Sequence, residues 1–85
     1  MRRKDVAVLK RNRDIIGLIR ALDDPDEFVR ADAALALGSV GDARAIEPLN
    51  HAKFFDVDGN VRRIAGIAQM WVIARLEQEK EAGGR

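Results

Sequence analysis

The residues able to do chemistry are few. The chain has one histidine (His51), one serine (Ser39), and no cysteine, threonine or tyrosine. A nucleophile needs a base beside it, and His51 has no obvious partner of that kind, because Ser39 belongs to a turn. A zinc or iron centre draws on more than one imidazole or thiolate, which this chain does not supply. The one loop that suggests an ion is DVDGN at residues 56–60. With Asp56 as the first position of a calcium loop, Val61 falls where the sharp glycine turn belongs, and Ile67 falls where the bidentate acid belongs. Helix capping by Asp58 or Asn60 accounts for the loop instead. The expectation is a protein without catalytic residues, metal or cofactor.

Composition sets the scale of what must position the remaining polar groups. Eighty-five residues make one small domain, spanning 1–85. A chain of this length buries only about 60% of its unfolded surface, so neighbouring elements must share apolar faces efficiently. The absence of cysteine excludes a disulfide framework. The basic start MRRKD is followed only by VAVL, far short of a signal sequence or membrane span, and a cytoplasmic protein is the expectation. The net charge of +1 hides a dipolar layout: +5 over residues 1–20, −6 over 21–60 and +2 over 61–85. Such a layout steers an acidic partner to one end, helps copies associate head to tail, or simply keeps the surface solvated.

Apolar residues recur at spacings of three and four between short punctuated turns, which predicts an all-α chain. Helices are expected near residues 3–10, 13–22, 26–38, 43–54 and 60–81. In the first, Val6 and Leu9 face inward; in the second, Ile15, Leu18, Ile19 and Leu22 form a stripe, with Gly17 permitting close approach. Asp24 or Asp26 caps the third helix and Asp42 the fourth, while Gly38 and Gly41 are suited to ending a helix. Pro48 lies unusually far inside the fourth unless that helix starts late. The segment EAGGR reads as a frayed end.

The chain also repeats itself. Val29 and Arg30 recur as Val61 and Arg62, an offset of 32, and Ala33, Leu35 and Ala36 fall on Ala65, Ile67 and Ala68. Arg13, Ile15, Leu18 and Ala21 recur as Arg44, Ile46, Leu49 and Ala52, an offset of 31. A period of this length holding two helices is a solenoid unit, whose apolar face is completed by stacking. Helices one and two, then three and four, form units, and the fifth is left unpaired.

The stretch VRADAALALGSVGDARAIEPL resembles the short HEAT-like repeat found in bacterial and archaeal scaffold proteins and in phycobilin lyases. The repeat pattern falls on Asp26, Val29 and Arg30, then Ala33 through Gly38, then Gly41, Asp42, Arg44 and Ala45. The chain departs from it at Gln69-Met70, where Leu-Gly is expected, so the fifth helix is expected to continue as a long cap. The resemblance implies a short right-handed α-α superhelix of about two and a half units. Metal-dependent hydroxylases with HEAT-like repeats take their ligands from His-Glu pairs, and this chain has none. A repeat is a building unit rather than a reaction, so lyase activity does not transfer either.

Three surfaces follow. Arg30, Arg62 and Arg44 are placed to cross-link helix starts through turn carboxylates or carbonyls. In a HEAT-like stack the second helix of each unit lines the inner face, which places Asp14, Arg20, Glu47, Asn50 and His51 there as candidates for contact with a partner protein. On the fifth helix, Ile67, Met70, Trp71 and Ile73 add apolar groups outside the core stripe, and a homodimer through residues 64–76 is expected. The competing arrangement folds the long helix back over its own stack and shields those residues. Nucleic acid on the basic N-terminal region (Arg2, Arg3, Lys4, Lys10, Arg11, Arg13, Arg20) is the alternative function, weakened by the acidic centre and by the lack of stacking aromatics. The expected function is a non-enzymatic scaffold or protein-interaction module.

Overall fold

Five α-helices and no strand make up residues 1–83, the part of the chain that the computed structural model describes. They are α1 (Arg3–Arg11), α2 (Ile15–Ala21), α3 (Glu27–Val40), α4 (Ile46–Phe55) and α5 (Gly59–Gly83), with one 3-10 turn over Ala43–Ala45 before α4. Aspartates hold the free N–H groups at four of these starts. Asp14 accepts from the Gly17 N–H at 2.9 Å, Asp26 from Phe28 at 2.8 Å, Asp42 from Arg44 at 3.0 Å and Asp58 from Val61 at 2.9 Å.

Three boundaries differ from the sequence expectation, each for a local reason. Arg13 adopts a left-handed backbone with φ 52°, which a right-handed helix cannot include, so α2 begins only after the Asp14 cap. Gly38 does not end α3; the helix runs on to Val40 and stops at Gly41, whose N–H reaches the Leu37 carbonyl at 2.8 Å. Pro48 is the third residue of α4, because the 3-10 turn delays the helix and leaves the proline where no intrahelical N–H bond is needed. Of the EAGGR tail, Glu81–Gly83 belong to α5 and the last two residues lie outside the described part.

Alanine dominates the core. Ala33, Ala34, Ala45, Ala65 and Ala68 are wholly buried around Leu18, Val29, Leu37, Leu49 and Val72. Small side chains let helix backbones approach closely, and the helices use that in one row, α1 against α3 and α3 against α5. Helix α2 packs on α1 and α3, and α4 packs chiefly on α5 rather than on α3, so the third and fourth helices do not form the packed unit expected from the repeat. The fifth helix is therefore not unpaired: it has the widest contacts in the molecule, with α3 on one side and α4 on another. The reason is visible at Gly38. A Cβ there would stand 2.7 Å from Trp71 Cε3 and 3.1 Å from the Ala68 Cα, so only glycine admits α5 at this distance. The arrangement is an all-α, solenoid-like stack.

Candidate functional site

The turns at one end of the helices are tied together by Arg30. Its Nε and Nη2 fork onto the Asp56 carboxylate at 2.9 and 3.1 Å, and its Nη1 donates to the Asp24 and Pro25 carbonyls at 2.9 and 3.1 Å. One guanidinium thus joins the turn before α3 to the turn before α5. Both partners are shielded, with side chains 12% and 7% exposed. Burial works to raise the Asp56 carboxyl, but the Arg30 fork, the Asp58 N–H and the neighbouring arginine charges outweigh it and hold the group below its ordinary range. The turns themselves are copies: Asp24 accepts from the Asp26 N–H as Asp56 does from Asp58, and Arg62 donates to the Asp56 carbonyl at 2.7 Å as Arg30 does to that of Asp24. Asp24 also accepts from the Met1 ammonium at 3.1 Å. Arg44 stays local, forking onto its own cap residue Asp42.

Beside this node lies a cleft of about 640 Å³ between the ends of α2 and α4, with Ile19, Leu22 and Ala52 along its apolar wall and His51, Phe55 and Val57 at its mouth. The His51 ring rests on Phe55 with centroids 5.0 Å apart. The structure brings the inner-face candidates to different fates. Asp14 caps α2, and Asn50 accepts a hydrogen bond from Gln69 at 3.0 Å, so both serve the fold. Arg20, Glu47 and His51 are exposed and carry no side-chain hydrogen bond among the described residues. Arg20 does not line the cleft that His51 opens onto.

Among the described residues there is no cluster of three or more His, Cys, Asp or Glu side chains placed to hold a metal ion. Asp56 and Asp58 of the DVDGN loop are engaged by Arg30 and by the Val61 N–H. On α1, Arg3 is committed to Asp32 at 2.7 Å and Arg2 lies beside Asp5, which divides the N-terminal basic region. No helix among the described residues is long and apolar enough to cross a membrane.

Apolar side chains are left exposed in several places, among them Phe28 and Leu35 on α3 and Phe54, Phe55 and Val57 at the end of α4, and α5 carries a further group of them. Its inner stripe of Val61, Ala65, Ala68 and Val72 is dry, whereas Met70 is 68% and Trp71 46% exposed, with Ile67 and Ile73 exposed beside them. Trp71 only leans its edge over Gly38. Folding of α5 along its own stack thus covers one face and leaves the second apolar face open. Two polar residues that sequence reasoning missed hold α5 in place. Gln69 is buried and donates to Asn50, with a longer contact to the Ile46 carbonyl at 3.4 Å. Arg75 donates to the Gly38 and Gly41 carbonyls at 3.0 and 2.6 Å, closing the C-terminus of α3 from a neighbouring helix. The departure of the repeat pattern at Gln69 was the available signal for the first.

Comparison with known families places this architecture. A family model for HEAT repeats matches residues 9–69, which covers α2, α3 and α4 in full. No curated protein matches the sequence.

Proposed function

The chain belongs to the HEAT repeat family, and from that premise we propose that it is a non-enzymatic interaction module whose first partner is a second copy of itself, docked on α5. The supporting observation is the contrast between the two faces of that helix. One is completely dry; the other presents Ile67, Met70, Trp71 and Ile73 to solvent in a molecule whose few reactive residues stand apart. Exposed apolar surface of this kind marks an interaction site. Recognition of a different protein falls to the α2 and α4 side, where Arg20, Glu47 and His51 offer polar groups on rigid helices at low ordering cost.

Trp71 is the sole tryptophan and lies on the α5 face, so its emission reports the dimer directly. Dilution of the wild-type chain should shift that emission to the red as the ring meets water. Met70→Asp should show the shifted emission at every concentration with unchanged helix content. Wild-type emission that stays constant across the dilution would overturn the α5 reading.

A further inference from the structure

The exposed positions of α5 carry a second pattern. Arg63, Ile67, Met70, Ala74, Glu77 and Glu81 are all exposed, and their spacing is 4-3-4-3-4. That is the spacing of a coiled-coil seam, in which successive positions stay on one side of the helix. This seam lies across the helix from the buried stripe and spans 19 residues, about 27 Å of helix. Its ends differ in sign: Arg63 stands at the start, and Glu77 and Glu81 at the finish, with the apolar residues between.

The spacing also reads the same in both directions about position 72. An antiparallel copy therefore places Arg63 against Glu81 of the other chain, Ile67 against Glu77, and Met70 against Ala74, each contact occurring twice. The small Ala74 gives the long Met70 side chain room to enter. Trp71 and Ile73 lie on opposite shoulders of the seam and exchange places under the same two-fold axis. A parallel copy would set Arg63 on Arg63 and Glu81 on Glu81, with like charges at both ends. None of Arg63, Glu77 and Glu81 forms an ion pair among the described residues; Arg63 donates only to Asn60, at 2.6 Å.

We propose that two copies of this chain pair antiparallel along the seam from Arg63 to Glu81, with Arg63–Glu81 ion pairs at both ends setting the register. The proposal rests on the reading of α5 as the self-association face and adds direction and register to it. An isologous two-fold interface of this kind closes on itself and stops at a dimer.

Charge reversal tests it. Arg63→Glu and Glu81→Arg each replace two attractive end pairs by two repulsive ones, and each should weaken the dimer about tenfold. The double reversal R63E/E81R restores both pairs and should dimerise within about twofold of wild type. The monomer is not penalised, since an acid near the helix start and a base near its end both suit the helix dipole. Association is measured by sedimentation of each full-length variant, with Met70→Asp alongside and helix content checked by circular dichroism. Single reversals that leave the affinity unchanged, while Met70→Asp abolishes association, would overturn the antiparallel register and leave the α5 face standing. A wild-type chain that stays monomeric at high concentration would overturn both.

Discussion

Replacing Arg30 by methionine keeps most of the apolar stem and removes four hydrogen bonds, two to the Asp56 carboxylate and two to the carbonyls of Asp24 and Pro25. The carboxylate left behind is only 7% exposed, and among the described residues no other cationic side chain forms an ion pair with it. Breaking one side of such a buried pair costs about 3 kcal/mol, since the partner charge stays desolvated. For a chain of 85 residues the total stability is on the order of 4–13 kcal/mol, so the variant loses a large share of it. In thermal unfolding followed by circular dichroism the midpoint should fall by about 12–24 °C at neutral pH. Acid should narrow the gap. The wild-type Asp56 carboxyl is held below its ordinary value, so its contribution is present above the unfolded pKa and is lost as pH falls through the folded one. Without Arg30, only the Asp58 N–H and the Arg62 charge remain to offset burial, so the Asp56 pKa rises from its wild-type position and the variant is relieved by protonation earlier in the descent. The exposed pairs are the control: Arg3, 64% exposed on Asp32, and Arg44 on Asp42 should each be removable with little change. Adding Asp56→Leu to Arg30→Met should recover most of the loss. A deficit for Arg30→Met no larger than that of Arg44→Ala would refute the claim that this guanidinium sets the stacking of the turns.

Two further outcomes follow from the fold. Gly38→Ala should destabilise by about 1–2 kcal/mol despite the helix propensity gained, because the new methyl meets the Trp71 ring and the Ala68 backbone; chemical denaturation and a shift in Trp71 emission check this. Arg13→Gly should stabilise by about 0.5–1 kcal/mol in the same assay, since glycine takes the left-handed turn between α1 and α2 without steric strain.

What could be read from the sequence is what is local. The aspartates at 26, 42 and 58 hold the helix starts through groups two or three residues away, and each stands out as a polar residue before an apolar run, whereas Asp14 caps α2 in the same way although its sequence position read as part of the helix and of the inner face. The Val-Arg repeat and the alanine runs likewise announce stacked helical units. What could not be read depends on which helix meets which. Gly38 looks like a helix end because glycine weakens helices, yet it is inside α3 to admit Trp71 and Ala68 of a helix thirty positions on. The backbone of Arg13 gives no sign in its residue type, since arginine does not favour a left-handed conformation. Arg20 and His51 are equivalent in the repeat, but the cleft forms at the end of α4 and receives only His51. Periodicity predicts the fifth helix without saying that α3 and α4 together cover its buried stripe.

The claim on which the functional account depends is that α5 joins two molecules, and sedimentation of the wild-type chain between about 1 µM and about 500 µM tests it most directly. The interface is one helix wide, at the small end of stable interfaces, so the account predicts a mass near that of a 9.4 kDa monomer at the dilute end and twice that at the concentrated end. A mass that stays at the monomer value across the whole range would contradict it.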